Sequence, residues 1–137
     1  MSDLAHEIRE LVSLARTKNR LELDEFIVVM EQTAEGLKDE FIAVNLSKTG
    51  DPFYGNYIKR AELTISSVND PSKFYSVMRL YTFRERSIIV EMDFPSCQFQ
   101  VKSPKKLSFI IKEHVVDPEF IGLLLSLSAT TDASVTG

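Results

Sequence analysis

The 137-residue chain is long enough for one domain with a buried core and too short for two. Hydrophobic residues make up 44% and charged residues 26%, the balance of a globular chain and not of a disordered or fibrous one. A net charge of −4 excludes a molecule that holds phosphate by its overall charge, and no apolar run approaches the roughly 20 residues of a membrane-spanning helix. The start, "MSDLAHEIRE", lacks the basic segment and apolar stretch of a signal peptide. Cys97 is the single cysteine, so no internal disulfide can form, and a lone thiol fits a reducing cytoplasm. Charge is unevenly spread: residues 1–40 carry −5, residues 41–106 carry +4 and residues 107–137 carry −3. Acidic ends therefore flank a mildly basic middle.

Leu4, Ile8, Leu11, Val12 and Ala15 recur at helical spacing and predict an amphipathic helix over about 3–18. "TKNR" reads as a polar break. In "LDEFIVVMEQTAEGLKDE" the apolar residues Leu23, Phe26, Ile27, Met30, Ala34 and Leu37 share one half of a helical wheel, and the charges share the other. That predicts a second helix over 23–40.

After residue 40 the period changes to two. "FIAVNLS", "AELTISSV", "KFYSVMRLYTF", "SIIVEMDF", "CQFQV" and "KLSFIIKEHVV" are six strand candidates, the last through Leu107, Phe109 and Ile111. Short breaks rich in turn residues separate them, which suits antiparallel hairpins. "DPEF" at 117–120 starts a final helix, with Asp117 as cap and Pro118 at the first position. The helix is expected over 118–127 and a flexible tail over 128–137. The predicted architecture is a single α+β domain over 1–127, with two N-terminal helices, an antiparallel meander of about six strands and a short C-terminal helix.

The hairpin between "KFYSVMRLYTF" and "SIIVEMDF" admits two registers. A four-residue loop would pair Phe83 with Ile88 and bury Tyr81 beside Arg79. A three-residue loop would pair Leu80 with Met92, leaving Tyr75, Arg79, Tyr81 and Phe83 on the face of Glu91 and Asp93, with Arg79 opposite Asp93.

No motif carries recognisable chemistry. His6 and Glu10 stand one helical turn apart, but two ligands make a poor metal site. His114 has no evident catalytic partner, Cys97 aligns with Phe99 and Val101 as a buried structural thiol, and Glu91 with Asp93 reads as a solvated pair. No catalytic residue, metal or cofactor is expected, and the chain reads as a non-enzyme.

Two surfaces remain as candidates. "DPFYGNYIKR" and "KFYSVMRLYTF" supply Phe53, Tyr54, Tyr57, Lys59, Arg60, Tyr75, Arg79 and Tyr81, rings and bases of the kind that stack single-stranded nucleic acid. The aromatics of the loop more readily fold back on the core, and the acidic Glu91 and Asp93 oppose a phosphate track. In "EFIGLLLSLS" apolar side chains surround the helix axis, so Phe120, Ile121, Leu124 and Leu125 are expected at a contact with another copy. The sequence thus predicts a cytoplasmic, homo-oligomeric adaptor that binds another protein and no membrane. The alternative is a single-stranded nucleic-acid binder.

Overall fold

The first 37 residues hold no proline and, before Gly36, no glycine, and they form one helix, α1 (Ser2–Leu37). The computed structural model describes residues 2–50, 52–53, 57–83 and 87–136, with side chains described except at 2, 18–22, 52–53 and 130–136. Both predicted N-terminal stretches are helical, and they are continuous. Lysine and arginine are good helix formers, so "TKNR" is polar without being a breaker. The Thr17 hydroxyl turns back to donate to the Ser13 carbonyl at 3.0 Å, which removes its competition with the helix. α1 ends where the Asp39 carboxylate accepts from the backbone N–H groups of Phe41 and Ile42, both at 2.8 Å, and redirects the chain into the sheet.

The strands are β1 (Ile42–Lys48), β2 (Pro52–Phe53), β3 (Tyr57–Ser67), β4 (Asp70–Phe83), β5 (Ser87–Met92) and β6 (Cys97–Val101). They form one antiparallel sheet in the order β1-β3-β4-β5-β6, with the two-residue β2 beside β3. The chain is an α+β domain.

The sixth predicted strand is instead a helix, α2 (Pro104–His114). Ser103 caps it, its hydroxyl accepting from the Lys106 N–H at 3.1 Å, and Pro104 occupies the first turn. The buried residues are Leu107, Ile110, Ile111 and His114, a helical stripe, while Phe109 faces outward. The apparent alternation of Leu107, Phe109 and Ile111 was a coincidence within a 3.6-residue period. α3 (Pro118–Thr136) starts as expected, the Asp117 carboxylate accepting from the Glu119 N–H at 2.9 Å. It continues past 127 because neither glycine nor proline occurs between 123 and 136.

One face of the sheet carries the core. Leu63 and Ile65 of β3, Met78 and Leu80 of β4, and Val90 and Met92 of β5 meet Phe26 and Met30 of α1, Leu107 and Ile111 of α2, and Phe120 and Leu127 of α3. Each of these is buried, so the three helices and the sheet share a single core.

The β4–β5 register is neither of the two weighed above. Phe83 faces Ser87, Leu80 faces Val90 and Arg79 faces Glu91, two residues from the three-residue-loop pairing. A shift by two preserves side-chain direction, so Met78 and Leu80 still point to the core and Arg79 away from it. A bulge also interrupts β4. Leu63 faces Met78 while Thr64 faces Ser76, so Val77 is an extra residue, and it is buried beside Met78.

Candidate functional site

The bulge at Val77 sets the chemistry of the sheet's other face. It turns Ser76 to the same side as Arg79, where alternation alone would have kept Tyr75 and Arg79 together. The Arg79 guanidinium then donates Nε–H to Glu91 Oε1 at 2.8 Å, Nη2–H to Asp93 Oδ2 at 2.9 Å and Nη1–H to Ser76 Oγ at 2.8 Å. The Ser76 hydroxyl donates in turn to Glu62 Oε2 at 2.7 Å, and Lys59 Nζ reaches Glu62 Oε1 at 3.1 Å. Five charged side chains, with Ser76 as bridge, form one connected network across β3, β4 and β5.

The electrostatics follow from that connection. Burial alone would raise the Glu62 carboxyl, but hydrogen bonds from Ser76 and Lys59, with the charges of Lys59 and Arg79, hold it below the ordinary 4.5. Burial likewise disfavours the Arg79 cation, and the bonds and charges of Glu91 and Asp93 more than offset it, so Arg79 remains charged. Tyr81 is buried on this face, and burial, then the Glu91 charge, push its phenol upward. Two cations against three carboxylates leave the network net negative. Its guanidinium is spent on carboxylates.

The other residues of the predicted aromatic and basic face are dispersed. Tyr57 stacks on Phe83 with ring centroids 4.7 Å apart, folded back onto the sheet. Arg60 turns its Nε–H to the Thr82 hydroxyl at 3.0 Å. Tyr75 lies opposite buried Ile65, on the helix side, and meets Phe94 edge-on at 5.7 Å. The Phe53 side chain and all of Tyr54 lie outside the described residues. Tyr57, Lys59, Arg79 and Tyr81 are thus the predicted residues that share the network face, Tyr57 at its end beside Phe83.

On α3 the four predicted contact residues divide by helical position. Phe120 is fully buried, and Leu124 packs against the core. Ile121 and Leu125, one turn apart on the outer side, are 38% and 63% exposed.

A larger apolar surface lies on α1, where sequence patterning gave an amphipathic helix and no account of what its apolar side meets. The second half of the helix docks on β1, β3 and α2, with Phe26 and Met30 buried. The first half extends beyond the sheet. There Leu4, Ile8, Leu11 and Leu14 are 65%, 51%, 66% and 67% exposed. Periodicity alone does not separate the halves, since both carry apolar residues at helical spacing.

Among the remaining polar groups, His114 is buried and connects the end of α2 to the β5–β6 turn. Its Nε2–H donates to the Asp93 carbonyl at 2.8 Å, and its ring meets Phe120 edge-on at 5.4 Å. That bond leaves Nδ1 as an acceptor 3.9 Å from the Cys97 sulfur. Burial, then the charges of Asp93 and Asp117, push the Cys97 thiol up, so it stays protonated and donates weakly to the ring. The half-buried Cys97 and His114 therefore form a packing contact. Among the described residues no cluster of three or more His, Cys, Asp or Glu is arranged to hold a metal, and no helix is long and apolar enough to cross a membrane.

Compared with models of protein families, with curated proteins and with solved structures, the chain matches none of them significantly.

Proposed function

We propose that the protein is a non-catalytic binding or adaptor protein that works as a homo-oligomer in the cytoplasm and engages another protein. The observation that carries this reading is the row of aliphatic side chains on the first half of α1, each more than half in water. Leaving a leucine-sized group exposed forgoes about 1.5–3 kcal/mol relative to burial, so four on one helix are a strong drive to associate. The outer pair on α3, Ile121 and Leu125, offers a second and smaller apolar contact. The polar groups of the sheet face, by contrast, are bound to one another, which leaves them poorly placed to act on a substrate. Single-stranded nucleic acid is the weaker reading, since Arg79 is neutralised by Glu91 and Asp93 and the aromatic rings are scattered over both faces.

Light scattering of the purified chain tests the reading. A mass at a multiple of 15.6 kDa is expected, and a monomer at tens of micromolar removes it. A labelled single-stranded oligonucleotide, followed by anisotropy at low salt, is expected to show no binding. A salt-sensitive signal lost in Lys59→Ala would favour the alternative instead.

A further inference from the structure

We propose that the first half of α1 pairs antiparallel with the same segment of a second copy of this chain, an inference that rests on the homo-oligomer reading. Leu4, Ile8, Leu11 and Ala15 follow the alternating four- and three-residue steps of a coiled-coil seam. The segment that carries them, residues 3–16, spans about 20 Å of helix. A free helix of this length is marginal in water, and its stability comes from a partner against its apolar side.

The direction follows from where the seam points. Ile8 stands 18 residues before Phe26, and Val12 stands 18 residues before Met30, which is about five turns. Ile8 of the seam and Val12 at its flank therefore face the same side as the two α1 residues buried in the domain. A copy running parallel along that side would drive its own sheet into the space the first sheet occupies. A copy running antiparallel carries its domain away to the opposite end. Setting Ile8 against Leu11 and Leu4 against Ala15 brings the four seam residues of each copy together, with the docked half of each α1, which holds Phe26 and Met30, at opposite ends of the pair.

The flanks of the seam agree. Ala5 and Val12 border one side, Glu7 and Leu14 the other. In antiparallel pairing each flank meets its own kind, so Val12 of one copy covers Ala5 of the other. The Glu7 carboxylate then reaches past Leu14 into water. Parallel pairing would instead set Glu7 against Val12 on both sides. The charges of Asp3, Arg9, Glu10 and Arg16 fall outside the seam in either case. The five larger aliphatic side chains of each copy, Leu4, Ile8, Leu11, Val12 and Leu14, would bury on the order of 1,000 Å² in total, the low end of specific interfaces.

Sedimentation equilibrium of the full chain is expected to show a monomer–dimer equilibrium. Leu11→Asp is expected to raise the dissociation constant about 100-fold or more, because each dimer would then bury two unpaired carboxylates at its centre. Leu11 is exposed, so the circular dichroism and melting of that monomer should match the wild type diluted to its monomer. Direction is read in a Cys97→Ser background with a short bis-maleimide. A mixture of Ala5→Cys and Val12→Cys chains should cross-link well, and either variant alone poorly. Efficient cross-linking between Glu7→Cys and Val12→Cys chains, with none between Ala5→Cys and Val12→Cys chains, would overturn the antiparallel arrangement. A dimer that survives Leu11→Asp but dissociates in Leu125→Asp would move the contact to α3, sinking this inference while the homo-oligomer reading stands. A wild type that stays monomeric at tens of micromolar would sink both.

Discussion

Arg79 shows how much one residue can be decided by its neighbours. Alternation along β4 made it a candidate cation for phosphate, yet the carboxylates of Glu91 and Asp93 and the hydroxyl of Ser76 occupy three of its nitrogens. Replacing Arg79 with alanine is expected to lower the urea midpoint by the equivalent of about 1–3 kcal/mol, since charge-assisted bonds are lost and three carboxylates are left close together. An unchanged midpoint would mean that water already screens the cluster. Glu62 supplies the pH signature. Its folded-state carboxyl lies below the ordinary 4.5, so its contribution is present above 4.5 and is lost as pH falls through the lower folded value. Acid unfolding of wild type should therefore steepen below pH 4.5, and Glu62→Gln should lack that part of the slope. Equal slopes in the two proteins would contradict the network.

Half of this residue-level picture was legible in the sequence. The pairing of Arg79 with Glu91 of β5 and Asp93 just beyond it follows from any even register, because a shift by two keeps side chains on their faces. The bulge at Val77 was not legible. Val77 and Met78 are both apolar and both buried, and nothing in "SVMR" distinguishes a strand that alternates strictly from one that carries an extra residue. Ser76, which bridges Glu62 to Arg79, was invisible for that reason.

At the scale of elements, α3 divides the apolar residues that the sequence grouped together. Leu124→Asp places a carboxylate against the core and is expected to unfold the domain. Leu125→Asp, one residue on and exposed, is expected to leave the thermal midpoint within a degree or two. Far-ultraviolet circular dichroism on heating reads both, and similar midpoints for the pair would mean that α3 is rotated from the position described. The helical wheel of "EFIGLLLSLS" left this division open because the sequence is apolar nearly all round, and the available marker was the exposed row of Glu119, Gly122 and Ser126 beside Leu125. α2 was misread for a different reason. Its buried set, Leu107, Ile110, Ile111 and His114, includes a histidine, and a polar residue on the buried stripe hid the helical period. The cap, Ser103 followed by Pro104, was the available signal and outweighs a three-residue alternation.

The molecule as a whole is a sheet domain with a helical arm. Sequence patterning found the sheet because alternation and turns are local, and it found the amphipathic character of α1 because periodicity is local too. It could not tell the docked half of the stripe from the overhanging half, since that depends on how far β1 and β3 reach alongside the helix. Another copy is proposed to cover this arm, and amide hydrogen exchange at several protein concentrations checks that claim. Residues 5–16 are expected to exchange slowly at high concentration and faster on dilution, while Phe26, Met30 and the core strands stay protected throughout. Fast exchange of residues 5–16 at every concentration would contradict the claim.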